Sequence, residues 1–267
     1  MRRLIRAILH FLRLQKPFTT VFGRVYRVDP YQIEIDITYD CNLKCFNCNR
    51  SCRQAPSKGQ VSLAQIDKFI SESIKQSRRW KRIRILGGEP TLHPDFIEII
   101  SRLLSYKREF SPDTVIQVAT NGFGVSVNEV LGRLNKEVLI ENTFKSSIVN
   151  QFSSFNAAPR DSFMYKFADY SNGCYVINGC GMGLTPFGYY PCAVSGGIDR
   201  VLGFDLGRTS LPEVKDHMLD LLERFCQYCG NFKIYVLRDM AKDEKMSISW
   251  IKAYKDYTVK KPVLREY

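Results

Sequence analysis

Gln32-Ile-Glu-Ile-Asp-Ile-Thr38 is followed, after Tyr39 and Asp40, by Cys41-Asn-Leu-Lys-Cys45-Phe-Asn-Cys48. Ile33, Ile35 and Ile37 alternate with Gln32, Glu34, Asp36 and Thr38, which is the two-residue period of a β-strand. The three cysteines therefore stand on the loop that follows a strand. Three thiolates can hold three irons of a 4Fe-4S cluster and leave the fourth open to chelate a small molecule. A closed zinc site asks instead for four ligands, commonly as paired C-x2-C halves. The asymmetric spacing favours iron.

Downstream the pattern alternates between helix and strand. Ser62 and Gln65 have the spacing of a capping box, and Ile66, Phe69, Ile70 and Ile74 share one helical stripe behind them. Ile83 to Leu86 reads as a short strand ending at Gly87. Pro94 opens a helix whose inner face is Phe96, Ile99, Ile100, Leu103 and Leu104. Val115 to Ala119 is a third strand, stopped by Thr120-Asn121-Gly122. Val127, Val130, Leu131 and Leu134 mark a third helix, ahead of a fourth strand near Val138 to Asn142. Such alternation implies a parallel sheet with its chemistry on the loops after the strands. From Gln151 to Asn172 the periodicity is lost, so the last strands of a barrel are expected to be short, irregular or missing.

The cysteine run and the Gly87-Gly88-Glu89-Pro90 segment after the second strand resemble the radical S-adenosylmethionine (SAM) superfamily. The resemblance implies an α/β fold built on a partial (β/α) TIM-like barrel. It implies a SAM-binding 4Fe-4S cluster on Cys41, Cys45 and Cys48, and reductive cleavage of SAM to a 5'-deoxyadenosyl radical that takes a hydrogen atom from a substrate. Gly87, Gly88, Glu89 and Pro90 match the SAM-binding element, the glycines letting backbone approach a ligand and the Glu89 carboxylate accepting from the SAM ammonium. Where family members commonly carry an aromatic residue just before the third cysteine, this chain has Asn47, with Phe46 one place earlier. Asn121 and Asn142, at the ends of the third and fourth strands, are candidate SAM or substrate contacts, with turn and cap roles as the alternative. Lys145 and Arg160 are candidates for an anionic substrate group, and His93, ahead of Pro94, reads as structural.

Cys180, Cys192, Cys226 and Cys229 supply four more thiolates, and Leu184-Thr-Pro-Phe-Gly-Tyr-Tyr190 between the first two reads as a β-hairpin. This group resembles the twitch or SPASM extension of radical SAM enzymes and implies a second, auxiliary 4Fe-4S cluster. A structural zinc knuckle is the alternative for these four residues taken alone. Cys52 and Cys174 are left over and read as small apolar residues, with Cys174 also eligible as a hydrogen donor or spare ligand. The expected organisation is a basic N-terminal segment over residues 1–30, a partial barrel over 31–173 and a small cysteine-rich hairpin extension over 174–267.

With 267 residues and 45% hydrophobic content the chain can bury a sizeable core. Nine cysteines in metal-like groups, with no cleavable signal, fit a reducing cytoplasm better than a disulfide framework. The start is apolar and basic but too short to span a bilayer. Leu4, Ile5, Ile8, Phe11 and Leu12 share a helical face opposite Arg2, Arg6, Arg13 and Lys16, so residues 1–16 can cap the barrel, hold a partner or lie on an anionic membrane. The net charge of +12 suits nucleic acid, a phosphorylated substrate, anionic lipid or an acidic flavodoxin or ferredoxin as electron donor alike, while Arg78-Arg-Trp-Lys-Arg82 reads as a solvated face. No specific nucleic-acid contact is expected. The expected function is radical SAM hydrogen abstraction, with a peptide or protein substrate ahead of a sugar, nucleotide or lipid-linked one. The alternative is a non-catalytic iron-sulfur carrier or a redox-sensing nucleic-acid binder, which has no use for an open iron or for Gly87 to Pro90.

Overall fold

The computed structural model describes residues 2–234 and 246–267. Helices α1 (Arg2–Arg13) and α2 (Lys16–Phe22) precede strand β1 (Gln32–Thr38). Then come α3 (Leu63–Lys75), β2 (Arg82–Gly87), α4 (Phe96–Glu109), β3 (Val115–Thr120), α5 (Val125–Leu131) and β4 (Leu139–Asn142). The C-terminal part adds α6 (Tyr175–Gly179), β5 (Met182–Thr185), β6 (Gly188–Tyr190), α7 (Ala193–Leu202), α8 (Leu219–Cys226) and α9 (Ile248–Val259).

The strands form one sheet in the order β4-β3-β2-β1-β5-β6, parallel except for β6. In register, Ile33 pairs with Ile83 and Ile83 with Ile116, and Ile35 with Ile85 and Ile85 with Val118. These six side chains are fully buried and join the inner faces of α3 (Ile66, Phe69) and α4 (Ile99, Leu103) in one core. Helix α3 starts where its capping box requires: Ser62 Oγ accepts from Gln65 N at 3.2 Å, and Gln65 Oε1 accepts from Ser62 N at 2.8 Å.

The opposite face of the sheet carries Glu34, Arg84 and Gln117 in one register row. The polar residues of β1 were expected to alternate with the apolar ones, and they do, but they do not face water. Glu34, Asp36 and Thr38 are buried, because the loop carrying the cysteines and helix α7 cover that side. Helix α7 is itself buried on every face, as a helix enclosed by the fold must be. It lies so close to β5 that a Cβ on Gly183 would stand 2.2 Å from Ala193 N.

The loss of strands expected after β4 is seen, and one other expectation needs correction. Between β4 and α6 the chain makes only short 3-10 turns, and among the described residues the sheet ends at β4 on one side and β6 on the other, without closing into a barrel. The Ser-, Asn- and Pro-containing stretch that lost its periodicity supplies no strand to close it. Arg78 is not on a solvated face. It is buried and donates to the carbonyls of Pro30 and Pro212 at 2.7 Å each, bolting the α3–β2 turn to distant loops.

Candidate active site

The parallel strands β1 to β4 end along one edge, and the loops leaving that edge hold most of the residues singled out in the sequence. The loop after β1 carries Cys41, Cys45 and Cys48. It is pinned by backbone bonds from Lys44 N to Ile148 O (2.7 Å) and from Phe46 N to Asn150 O (2.8 Å). Asn47, with φ of 53°, makes the tight reversal between Cys45 and Cys48, and its amide donates to Phe152 O at 3.1 Å. This explains the polar residue where an aromatic is common: the position is fully buried and left-handed, a conformation asparagine tolerates better than a bulky side chain.

The three thiols lie close enough to feel one another. Burial first, then the neighbouring Cys48 and Cys45, pushes Cys41 up to about 12, and Cys45 is raised by burial and Cys48. Cys48 goes the other way, to about 6, chiefly because the Cys52 thiol hydrogen-bonds to it. Desolvated thiolates crowded in this way are costly unless a cationic centre compensates them, so the donor set suits an iron cluster. A cleft of ≈ 330 Å³ opens beside Cys41, lined also by Asp40, Cys52, Arg53 and Lys58.

Gly87 and Gly88 bring the end of β2 against this loop. Gly87 has φ of +140°, and a Cβ on Gly88 would stand 2.1 Å from Asp40 O and 3.1 Å from Cys41 Cβ. Glu89 is fully buried, and the structure gives its carboxylate a bracing role. Oε1 accepts from Thr91 Oγ1 (2.8 Å) and Thr120 Oγ1 (2.9 Å), and Oε2 accepts from Asn121 N (2.9 Å). Pro90 begins the short 3-10 turn that Glu89 caps. Asn121 Nδ2 donates to Asn42 Oδ1 at 2.8 Å, clasping the third strand's end to the cysteine loop. Asn142, paired with Thr120, packs on Gly122 and accepts from Phe144 N at 2.8 Å. Lys145 stands near Cys45 and over the Phe152 ring. Arg160 contacts the Tyr228 hydroxyl and ring instead. His93 is buried between Val61 O and Asp95 N, a structural position.

The second group of thiols differs from its expected membership. One cavity is lined by Cys174, Cys192, Cys226 and Cys229, with Ile177, Val194 and Phe232 as apolar walls. The Cys226 thiol is pushed far up by burial and then by Cys174, Cys192 and Cys229. Cys180 lies elsewhere: its thiol hydrogen-bonds to Glu34, and burial together with that carboxylate pushes it up to about 12. Cys174 and Cys180 flank the two ends of α6, so the helix turns one toward the cavity and the other toward the sheet. Cys174, and not Cys180, therefore lines the cavity with Cys192, Cys226 and Cys229. Among the described residues no three Cys, His, Asp or Glu side chains gather on the point a single metal ion would occupy. The four cysteines line a tight cavity of only ≈ 10 Å³.

Between the two thiol groups lies a charged network that sequence reading did not find. Arg50, two residues after Cys48, donates to Asp36 Oδ2 and Glu34 Oε2 at 3.1 Å each. Arg84 donates to Glu34 Oε1 and Glu141 Oε2 at 2.6 Å each. Burial raises both carboxyls of β1, but Glu34, served by two guanidiniums, ends below its usual value. Asp36, which shares Arg50, ends raised to about 6. Only the alternation of acids along β1 hinted at this network, and it reads equally as an exposed strand face.

Residues 35–141 match the family model of the Radical SAM superfamily. That stretch, under half of the chain, is similar to a radical SAM domain. The matched stretch runs from the middle of β1 into β4 and includes Cys41, Cys45, Cys48, Gly87 to Pro90 and Asn121; the family it resembles implies a 4Fe-4S cluster and SAM. A probable GTP 3',8-cyclase of Methanococcus maripaludis is 37% identical over 101 residues, 38% of this chain and 30% of its own length. A GTP 3',8-cyclase of Aliarcobacter butzleri is 30% identical over 131 residues, 43% of this chain and 38% of its own length. A probable GTP 3',8-cyclase of Thermococcus kodakarensis is 28% identical over 82 residues, 26% of its own length. The chain thus spans well under half the length of these relatives. A crystal structure of BtrN in complex with AdoMet and 2-DOIA overlays with a TM-score of 0.43 at 13% identity, covering 80% of this chain and 96% of that one.

Proposed function

We propose that this chain is a radical SAM enzyme with a second iron-sulfur cluster. The observation that carries the reading is the convergence, at the C-terminal edge of the parallel strands, of the Cys41, Cys45 and Cys48 loop with the Gly87-Gly88 approach. When bound there, a reduced 4Fe-4S cluster supplies the electron that cleaves SAM to a 5'-deoxyadenosyl radical. The chain's own residues hold and shape that site. Cys41, Cys45 and Cys48 are the ligands, Gly88 admits the β2 end to the cluster loop, Glu89 ties the β2 end to the β3 end, and Asn121 clasps Asn42. The cleft beside Cys41, rimmed by Arg53 and Lys58, suits the carboxylate end of SAM.

Cys174, Cys192, Cys226 and Cys229 are proposed as ligands of the auxiliary 4Fe-4S cluster, in place of the set containing Cys180. An acidic flavodoxin or ferredoxin is proposed as electron donor, on the strength of the +12 charge. For the substrate, a peptide or protein side chain stays ahead of a sugar or lipid-linked one. GTP enters as the second reading, because it is named by the relatives that share the SAM-binding segment.

The test is 5'-deoxyadenosine formation by anaerobically reconstituted protein with SAM and dithionite, alone and with GTP. Wild type should cleave SAM, and the Cys41→Ala/Cys45→Ala/Cys48→Ala variant should not, while keeping about four irons per chain. Iron-loaded wild type that never cleaves SAM overturns the reading in favour of an electron carrier. Consumption of GTP with 5'-deoxyadenosine would promote the second reading.

A further inference from the structure

We propose that α1, α2 and the 163–167 turn form a single docking surface for an anionic lipid bilayer, with α1 lying in the plane of the headgroups. Helix α1 has two apolar stripes where a helix that only caps a core needs one. The first faces inward through Ala7, Phe11 and Leu14, with the Phe11 ring edge-on to Tyr165 at 5.6 Å. The second faces water: Leu4 and Leu9 are each 57% exposed, and Ile5 and Ile8 each 50%.

The exposed stripe does not stand alone. In α2, Val21 and Phe22 are exposed, and Phe18 stacks on Phe22 at 6.4 Å. The turn holding Phe163, Met164 and Phe167, all exposed, is fastened to the α1–α2 junction by backbone bonds. Lys16 N donates to Phe167 O at 2.9 Å and Asp169 N to Leu14 O at 2.8 Å, with a bridge between Gln15 and Ala168. Two consecutive helices and a turn distant from them in sequence therefore adjoin and expose large apolar side chains together.

Charge selects the occupant. Residues 1–28 contain seven Lys or Arg and no Asp or Glu. Cations also stand at the exposed aromatics: Arg13 lies 5.1 Å over Phe22, and Lys166 lies 5.9 Å from Phe163 and 5.7 Å from Phe167. Apolar side chains flanked by cations are what an interfacial helix presents to acyl chains and anionic headgroups. A second copy of this chain would bring like charge against like. Among the described residues no helix is long and apolar enough to cross a membrane, so contact is in the plane.

The test is flotation of the reconstituted full chain with vesicles of phosphatidylcholine alone and of phosphatidylcholine with one-third phosphatidylglycerol, at low and high salt. Wild type should float with the anionic vesicles and weaken at high salt. Ile8→Ser/Leu9→Ser and Phe163→Ser/Phe167→Ser should each lose about tenfold in binding, with iron content and far-UV circular dichroism unchanged. Lys16→Gln/Lys166→Gln should lose mainly the preference for anionic lipid. Wild type that does not float, or serine variants that float as well as wild type, overturn the proposal. So does a dimer, by light scattering, that the serine variants dissociate without any flotation.

Discussion

Arg200 on α7 donates from its guanidinium to the Arg50 carbonyl at 2.8 Å, so the helix that begins at Cys192 grips the loop that holds Cys48. The same guanidinium reaches Ala55 O at 2.7 Å and lies over the Tyr39 ring at 4.4 Å. Arg50 in turn bridges Asp36 and Glu34 on β1. One thiol group is thus joined to the other through a helix, two arginines and a strand, all buried.

Breaking that chain at Arg50 should be severe. Arg50→Met leaves Asp36 without its only ion-pair partner among the described residues. It also removes one of two guanidiniums from Glu34. Removal of one partner of a buried ion pair typically costs about 3–5 kcal/mol. The measurement is the thermal midpoint of reconstituted protein, with Arg50→Lys retaining part of the loss.

Asp36 gives the fold a pH dependence of definite sign. Its carboxyl is raised to about 6 by burial, which Arg50 only partly offsets. A raised acid favours the folded state below its unfolded value and loses that contribution as pH rises through the folded one. Stability from this group should therefore fall between about pH 4 and pH 6, by about 3 kcal/mol through linkage. Glu34, lowered by Arg50 and Arg84 against its burial, acts oppositely and at lower pH. Thermal midpoints of wild type and Asp36→Asn across this range check the sign: the difference should grow in favour of Asp36→Asn as pH rises.

Iron content distinguishes Cys174 from Cys180. Cys174→Ser should lower bound iron by about four per chain or leave a degraded cluster, because it lines the cavity with Cys192, Cys226 and Cys229. Cys180→Ser should keep all the iron, since that thiol faces Glu34. The opposite result would restore the set read from the sequence.

The succession of strands and helices and the first thiol group were legible because each signal was local. Ile33, Ile35 and Ile37 announce β1 by period, Ser62 and Gln65 announce the start of α3, and three cysteines within eight residues announce a shared site. The rest depended on contacts between distant segments. Whether Cys174 or Cys180 meets Cys226 is set by which end of α6 faces α8. The burial of Glu34 and Asp36 is set by α7 and Arg50. Arg78 looked like part of a basic surface because its acceptors, Pro30 O and Pro212 O, are 48 and 134 residues away.

Gly88→Ala offers the sharpest test of how the β2 end meets the first thiol group. The added methyl would lie 2.1 Å from Asp40 O and 3.1 Å from Cys41 Cβ. The obstructing groups are backbone and a ligand's own Cβ, so no flexible side chain can move aside. Either β2 withdraws, breaking the bonds from Gly88 N to Thr38 O (2.7 Å) and from Glu89 N to Asp40 O (2.8 Å), or the Cys41 loop shifts. Overpacking of this kind costs about 1–3 kcal/mol, and a shift of the loop also spoils the spacing of three cluster ligands. The expected outcome is loss of 5'-deoxyadenosine formation and a lower iron content at the first cluster. Gly124→Ala serves as control, because a methyl there meets nothing nearer than 4.0 Å, although its φ of +101° carries some backbone strain. If Gly88→Ala retains full iron and full SAM cleavage while Gly124→Ala does the same, the close approach of β2 to Cys41 is not what positions the site.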